Sequence, residues 1–95
     1  MKFEIFAGLS GGFGGAQSLG VFDFNDEDEA LQAARNAAIE EYESYEGCHG
    51  ILSREECEED LIASFGIEYA TEDDVDMAYL EEVESWIEYY VEEVE

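Results

Sequence analysis

Positive charge is what this sequence has least of. Among its 95 residues the bases are Lys2, Arg35 and Arg54, set against 27 carboxylates, for a formal net charge of -24. Contacts to nucleic-acid phosphates depend on lysine and arginine, and anionic lipid surfaces attract the same residues. Direct binding to DNA, RNA or an anionic membrane is therefore excluded. No apolar run approaches the ~18 residues that a membrane span needs. The start Met1-Lys2-Phe3-Glu4 reads as free of a signal peptide. The expectation is a cytoplasmic protein, in a bacterial host cell, with reduced thiols at Cys48 and Cys57. Proline is absent, so nothing in the chain forces a helix to break.

The residues that carry common chemistries are scarce as well. His49 is the single histidine, and no Ser-His-Asp or Cys-His grouping stands out around it. Carboxylate pairs occur everywhere, so no one pair signals acid–base catalysis. Cys48, His49 and Cys57 lack the Cys-x2–4-Cys spacing of zinc sites. The acidic run Asp23–Glu29 has Asp28 where a calcium loop needs its sixth-position glycine. The Gly8–Gly15 stretch has no Gly-Lys-Ser/Thr and is followed by strand residues, so it is neither a phosphate loop nor a dinucleotide fingerprint. We expect no enzyme, no metal and no cofactor.

What the sequence does have is core material. Hydrophobic residues make up 46% of it and 13 are aromatic, which separates it from acidic disordered tails. Its length suits one domain. Lys2 to Leu9 alternates as a strand, with Phe3, Ile5 and Ala7 on one face. A glycine-rich loop leads to a second strand over Ser18–Phe24, giving an antiparallel hairpin. A first helix starts at Asn25 or Asp26, buries Leu31, Ala34, Ala38, Tyr42 and Tyr45, and stops at Gly47. A second starts at Ser53 with Glu56 completing a capping box, carries Cys57, Leu61 and Phe65 inward, and ends at Gly66. A third starts at Thr71 with Asp74 in the matching position and runs nearly to Glu95. Its apolar seam is Leu80, Val83, Ile87, Tyr90 and Val94, which suits an intrachain core or a homodimer. The predicted fold is α+β: a two-stranded antiparallel hairpin packed with three helices in a single domain spanning residues 1–95.

On such a helix, Asp74, Glu81, Glu84, Glu88, Glu92 and Glu95 fall on one stripe. Like charges three and four residues apart weaken a helix by a few tenths of a kcal/mol per pair. Thr71–Glu95 spans about 37 Å as a helix. Its 11 carboxylates then average about one per 3.4 Å, the phosphate spacing along one DNA strand. The candidate partner-binding set is this stripe with Glu40 and Glu43 on the first helix. Two aromatic anchors join it: Tyr89, off the apolar seam, and Phe13, at the glycine-loop tip as either a contact or a plug on the core. A plain solvated face is the ordinary account of a charge run. Halophilic adaptation is another, although 20 Glu against 7 Asp and the many bulky aromatics fit it poorly.

The runs Phe3-Glu4-Ile5-Phe6, Ser18-Leu19-Gly20-Val21-Phe22-Asp23-Phe24 and Tyr42-Glu43-Ser44-Tyr45-Glu46-Gly47 resemble the N-terminal part of antirestriction proteins of the ArdA type, over residues 3–47. In size and acidity the chain is also similar to small phage anti-CRISPR proteins. The resemblance implies a DNA mimic carried by a mobile element that inhibits a type I restriction enzyme or a CRISPR effector. The expected partner is thus a basic nucleic-acid-binding protein in a host defence nuclease complex. An acidic adaptor or chaperone for another basic protein is the alternative.

Overall fold

The computed structural model describes residues 1–94 and divides the chain into two compact units. One holds Met1–Tyr42 together with the chain from Trp86 onward, and the other is Glu43–Ser85. In order, the elements are β1 (Lys2–Leu9), β2 (Gly15–Asp23), α1 (Glu27–Tyr45), α2 (Arg54–Phe65), α3 (Glu72–Trp86) and β3 (Ile87–Val94). The architecture is α+β, with one antiparallel sheet of order β2-β1-β3.

The first unit is built on β1, whose alternation puts Phe3, Ile5, Ala7 and Leu9 on the buried face. Phe3 and Ile5 pack with Ala30 and Ala34 of α1, and Phe24, Tyr89 and Val91 close the cluster. Alanines four apart on α1 let helix and sheet approach closely, and Ala30, Ala34 and Ala38 are wholly buried. Asp26 caps α1 by accepting the Glu29 N–H at 2.8 Å. Between β1 and β2 the chain makes one short 3-10 turn, Gly11–Phe13. The strand β2 therefore starts at Gly15, three residues before the predicted Ser18. The two backbones come close here. A Cβ on Gly8 would lie 2.3 Å from the Gly15 carbonyl oxygen, so β1 passes β2 only with glycine there. The register shifts between Ile5 and Phe6, leaving Leu19 as the extra residue of a bulge.

The third strand corrects the two-stranded prediction. The predicted third helix ends at Trp86 and the chain continues at once as β3, antiparallel to β1. Ile87, Tyr89, Tyr90, Val91 and Val94 are β-branched or aromatic and suit a pleated, half-buried surface. A lone hairpin is marginal in water, and a third strand secures it. The continuous seam of helix three does not form. Val83 and Ile87 are buried, whereas Leu80 is 52% and Tyr90 45% exposed.

In the second unit, Ser53 and Glu56 form the expected capping box of α2. Gly47 donates its N–H to the Ile51 carbonyl at 2.8 Å, folding the Gly47–Ile51 loop over a buried Ile51. Val75 and Cys57 are also buried, but Phe65, predicted inward, is 65% exposed. Arg54 donates from Nε to Asp76 at 3.0 Å, joining α2 to α3. The pairing holds its proton more firmly than usual. The Tyr79 hydroxyl donates to Glu46.

Candidate functional site

Strand pairing sets the geometry of the acidic surface. On β1, alternate residues Lys2, Glu4, Phe6 and Gly8 point away from α1. Across the β1–β3 ladder Glu4 faces Glu92, Phe6 faces Tyr90 and Gly8 faces Glu88. The far face of the sheet thus carries an aromatic pair with carboxylates at each end. The Phe6 and Tyr90 rings stack, with centroids 4.4 Å apart and planes 9° from parallel. Along β3, Glu88 and Glu92 flank Tyr90 at two residues on either side, about 6.6 Å along the strand.

Two of these carboxylates are oriented by the sheet itself. Glu88 reaches across the Gly8 gap and accepts the Ala16 N–H at 3.1 Å. Glu4 accepts the Ser18 hydroxyl at 2.6 Å. A groove of about 470 Å³ lies beside Gly15, Ala16, Glu88 and Tyr90. The one base on this face is Lys2, at its end, opposite Asp23 and Val94. Glu4 directly opposite Glu92 is an unfavourable like-charge pair, and the sheet tolerates it without an intervening base.

The predicted stripe is not a single helical row. Its helical spacing stops at Trp86, so Glu81 and Glu84 belong to α3 and the second unit. Glu88 and Glu92 belong to β3 and the first. All four are exposed. Glu95 lies outside the described residues. Asp74 is exposed but engaged at the start of α3. There its carboxylate accepts the Thr71 hydroxyl at 2.8 Å, and its N–H donates back to Thr71 Oγ1 at 3.3 Å. Glu40 and Glu43 are exposed on α1.

Neither predicted anchor stands outward. Tyr89 is on the α1 face of the sheet, half-buried against the Phe3–Ile5–Ala30–Ala34 cluster, and lines a groove with Leu31 and Arg35. Phe13 is half-buried and meets Trp86 edge-on at 5.9 Å, so it acts as the plug. Tyr90, read from sequence as core, is 45% exposed on the far face of the sheet. Its signal was the alternation Ile87, Tyr89, Val91 against Glu88, Tyr90, Glu92, which is the strand period.

No acidic side chain among the described residues is buried. Among them no three His, Cys, Asp or Glu residues are grouped to hold a metal ion, and no helix is long and apolar enough to cross a membrane. Cys48 is exposed and Cys57 buried, both as free thiols. Burial raises the Cys57 pKa, and Glu82, Asp60, Glu56 and Glu46 raise it further. Comparison with protein-family models, curated proteins and solved structures finds no match for this chain.

Proposed function

We propose that this chain is a nucleic-acid-mimic inhibitor, which occupies the DNA- or RNA-binding channel of a bacterial defence nuclease. The observation that carries the reading is the uncompensated surface. The chain has 27 acids to three bases, none of the described acids is buried, and Arg54 is already committed to Asp76. So much repulsion opposes compactness, and a cationic channel is the environment that turns it into binding energy. The strand register sets Glu4, Glu88 and Glu92 around the Phe6–Tyr90 stack on one face of the sheet. Long-range attraction speeds encounter, and short-range contacts on the sheet set specificity.

The reading is tested with purified type I restriction enzyme and RNA-guided nuclease complexes. Cleavage is measured with increasing protein, at several salt concentrations and with competing duplex. Inhibition should be relieved by excess duplex or guide-matched RNA and should weaken steeply as salt rises. Unimpaired cleavage by all of these enzymes at saturating protein sinks the reading. If instead the protein hands a basic client over to nucleic acid, it is an acidic chaperone.

A further inference from the structure

The open sheet face holds more than charge. Tyr90 is 45% exposed, its ring is braced by Phe6, and Glu88 and Glu92 flank it on the same strand face. We propose that this face is an arginine-docking surface, on which a guanidinium of the basic partner stacks on the side of the Tyr90 ring that Phe6 leaves open and is held by Glu92. The inference rests on the inhibitor reading and names the chemistry its partner presents.

Three properties select arginine. A guanidinium is planar and stacks on aromatic faces, whereas an ammonium is compact and strongly hydrated. Cation–π attraction acts within about 6 Å of a ring centroid. Glu92 stands one same-face step from Tyr90, about 6.6 Å along the strand, near enough for its flexible side chain to meet a guanidinium seated on the ring. Glu4 and Glu88 are turned toward β2 by their hydrogen bonds with Ser18 and Ala16, which leaves Glu92 as the carboxylate beside the open side of the ring. A second copy of this chain is the wrong occupant, because it would set Glu4, Glu88 and Glu92 against themselves.

The full chain is titrated at low salt with oligo-arginine and oligo-lysine peptides of equal length, by calorimetry and by backbone NMR. The arginine peptide should bind roughly two- to fivefold more tightly. Tyr90→Leu should abolish that preference and leave the lysine peptide little changed. Glu92→Gln should weaken both peptides more than Glu58→Gln on α2 does. Shift changes should concentrate at Phe6, Tyr90 and Glu92. Equal affinities for the two peptides overturn the proposal, as does an unaltered preference in Tyr90→Leu. If that variant does not fold, the wild-type map decides, and changes centred on α2 or α3 overturn it. Concentration-dependent dimerisation through this face would also overturn it. No nuclease enters this titration. A chain that still inhibits a nuclease but shows no arginine preference removes this inference alone. Docking of arginine without inhibition of any nuclease removes the function proposed above.

Discussion

The carboxylate of Glu88 on β3 accepts the backbone N–H of Ala16 on β2 at 3.1 Å, although β1 lies between the two strands. Gly8 makes the reach possible, because it is the β1 residue beneath the contact and has no side chain. One glutamate thus ties the two edge strands together.

Replacing Glu88 with Ala should therefore cost about 0.5–1.5 kcal/mol, the net worth of such a hydrogen bond, offset slightly by relief of repulsion. Glu88→Gln keeps an acceptor and should cost less. Urea melts of the two variants check the order. Glu59, exposed on α2, should tolerate Lys without loss of stability. Glu88→Lys should not.

Gly8→Ala puts a methyl 2.3 Å from the Gly15 carbonyl oxygen, where backbone must move. Forced overpacking of this kind costs about 1–3 kcal/mol. Gly12→Ala in the adjacent turn meets nothing within 4 Å and is the control. Equal thermal midpoints for the two variants would contradict the close passage of β1 and β2.

The change from helix to strand at Trp86 also has a direct test. Ile87 is 8% exposed and Leu80 is 52% exposed, yet a continuous helical seam would bury both. Ile87→Ala should lose about 2 kcal/mol or more, and Leu80→Ala should stay within about 0.5 kcal/mol. Similar losses at both sites would restore the single long helix.

That segment shows where the sequence stopped being readable. Helix starts were written locally, in Asp26, in the Ser53–Glu56 box and in Thr71, and the stops at Gly47 and Gly66 are equally local. The strand β1 was plain from its alternation. Residues 87–94 satisfy two periods at once: Val83, Ile87, Tyr90 and Val94 make a helical seam, while Ile87, Tyr89 and Val91 make a strand face. The decision belongs to the vacant edge of β1, far away in sequence, and no local propensity contains it. The acid surplus was visible from composition. Its arrangement around Tyr90 was not, because the pairings of Glu4 with Glu92 and Phe6 with Tyr90 exist only once β3 is a strand.

Cys57 and Cys48 should differ in reactivity. Cys57 is 4% exposed and its thiol pKa is raised, by burial first and by neighbouring carboxylates second. The thiolate is the reactive form, so iodoacetamide at neutral pH should label exposed Cys48 first, as peptide mass mapping will show. The linkage sign follows. Above the ordinary thiol pKa the native state keeps a proton that the unfolded chain releases, so stability falls as pH rises. Cys57→Ala should flatten that alkaline decline, and an unchanged slope would remove the contribution assigned to Cys57.

Salt dependence separates a charged recognition surface from dependence on a saline environment. The core side chains Leu9, Tyr42, Ile51 and Val75 are fully buried, and no described charge is buried with them. Their burial does not rely on counterions. The surface repulsion does, since the screening length falls from about 30 Å at 0.01 M salt to about 3 Å at 1 M. The thermal midpoint should rise with KCl, with most of the gain at low concentration, where the screening length shrinks fastest. The chain should nevertheless melt cooperatively in 10 mM KCl. Circular dichroism melts at 10 mM and 2 M KCl make the comparison. A chain unfolded at 10 mM and rescued at 2 M would identify the carboxylates as an adaptation to brine and leave a cationic partner unnecessary.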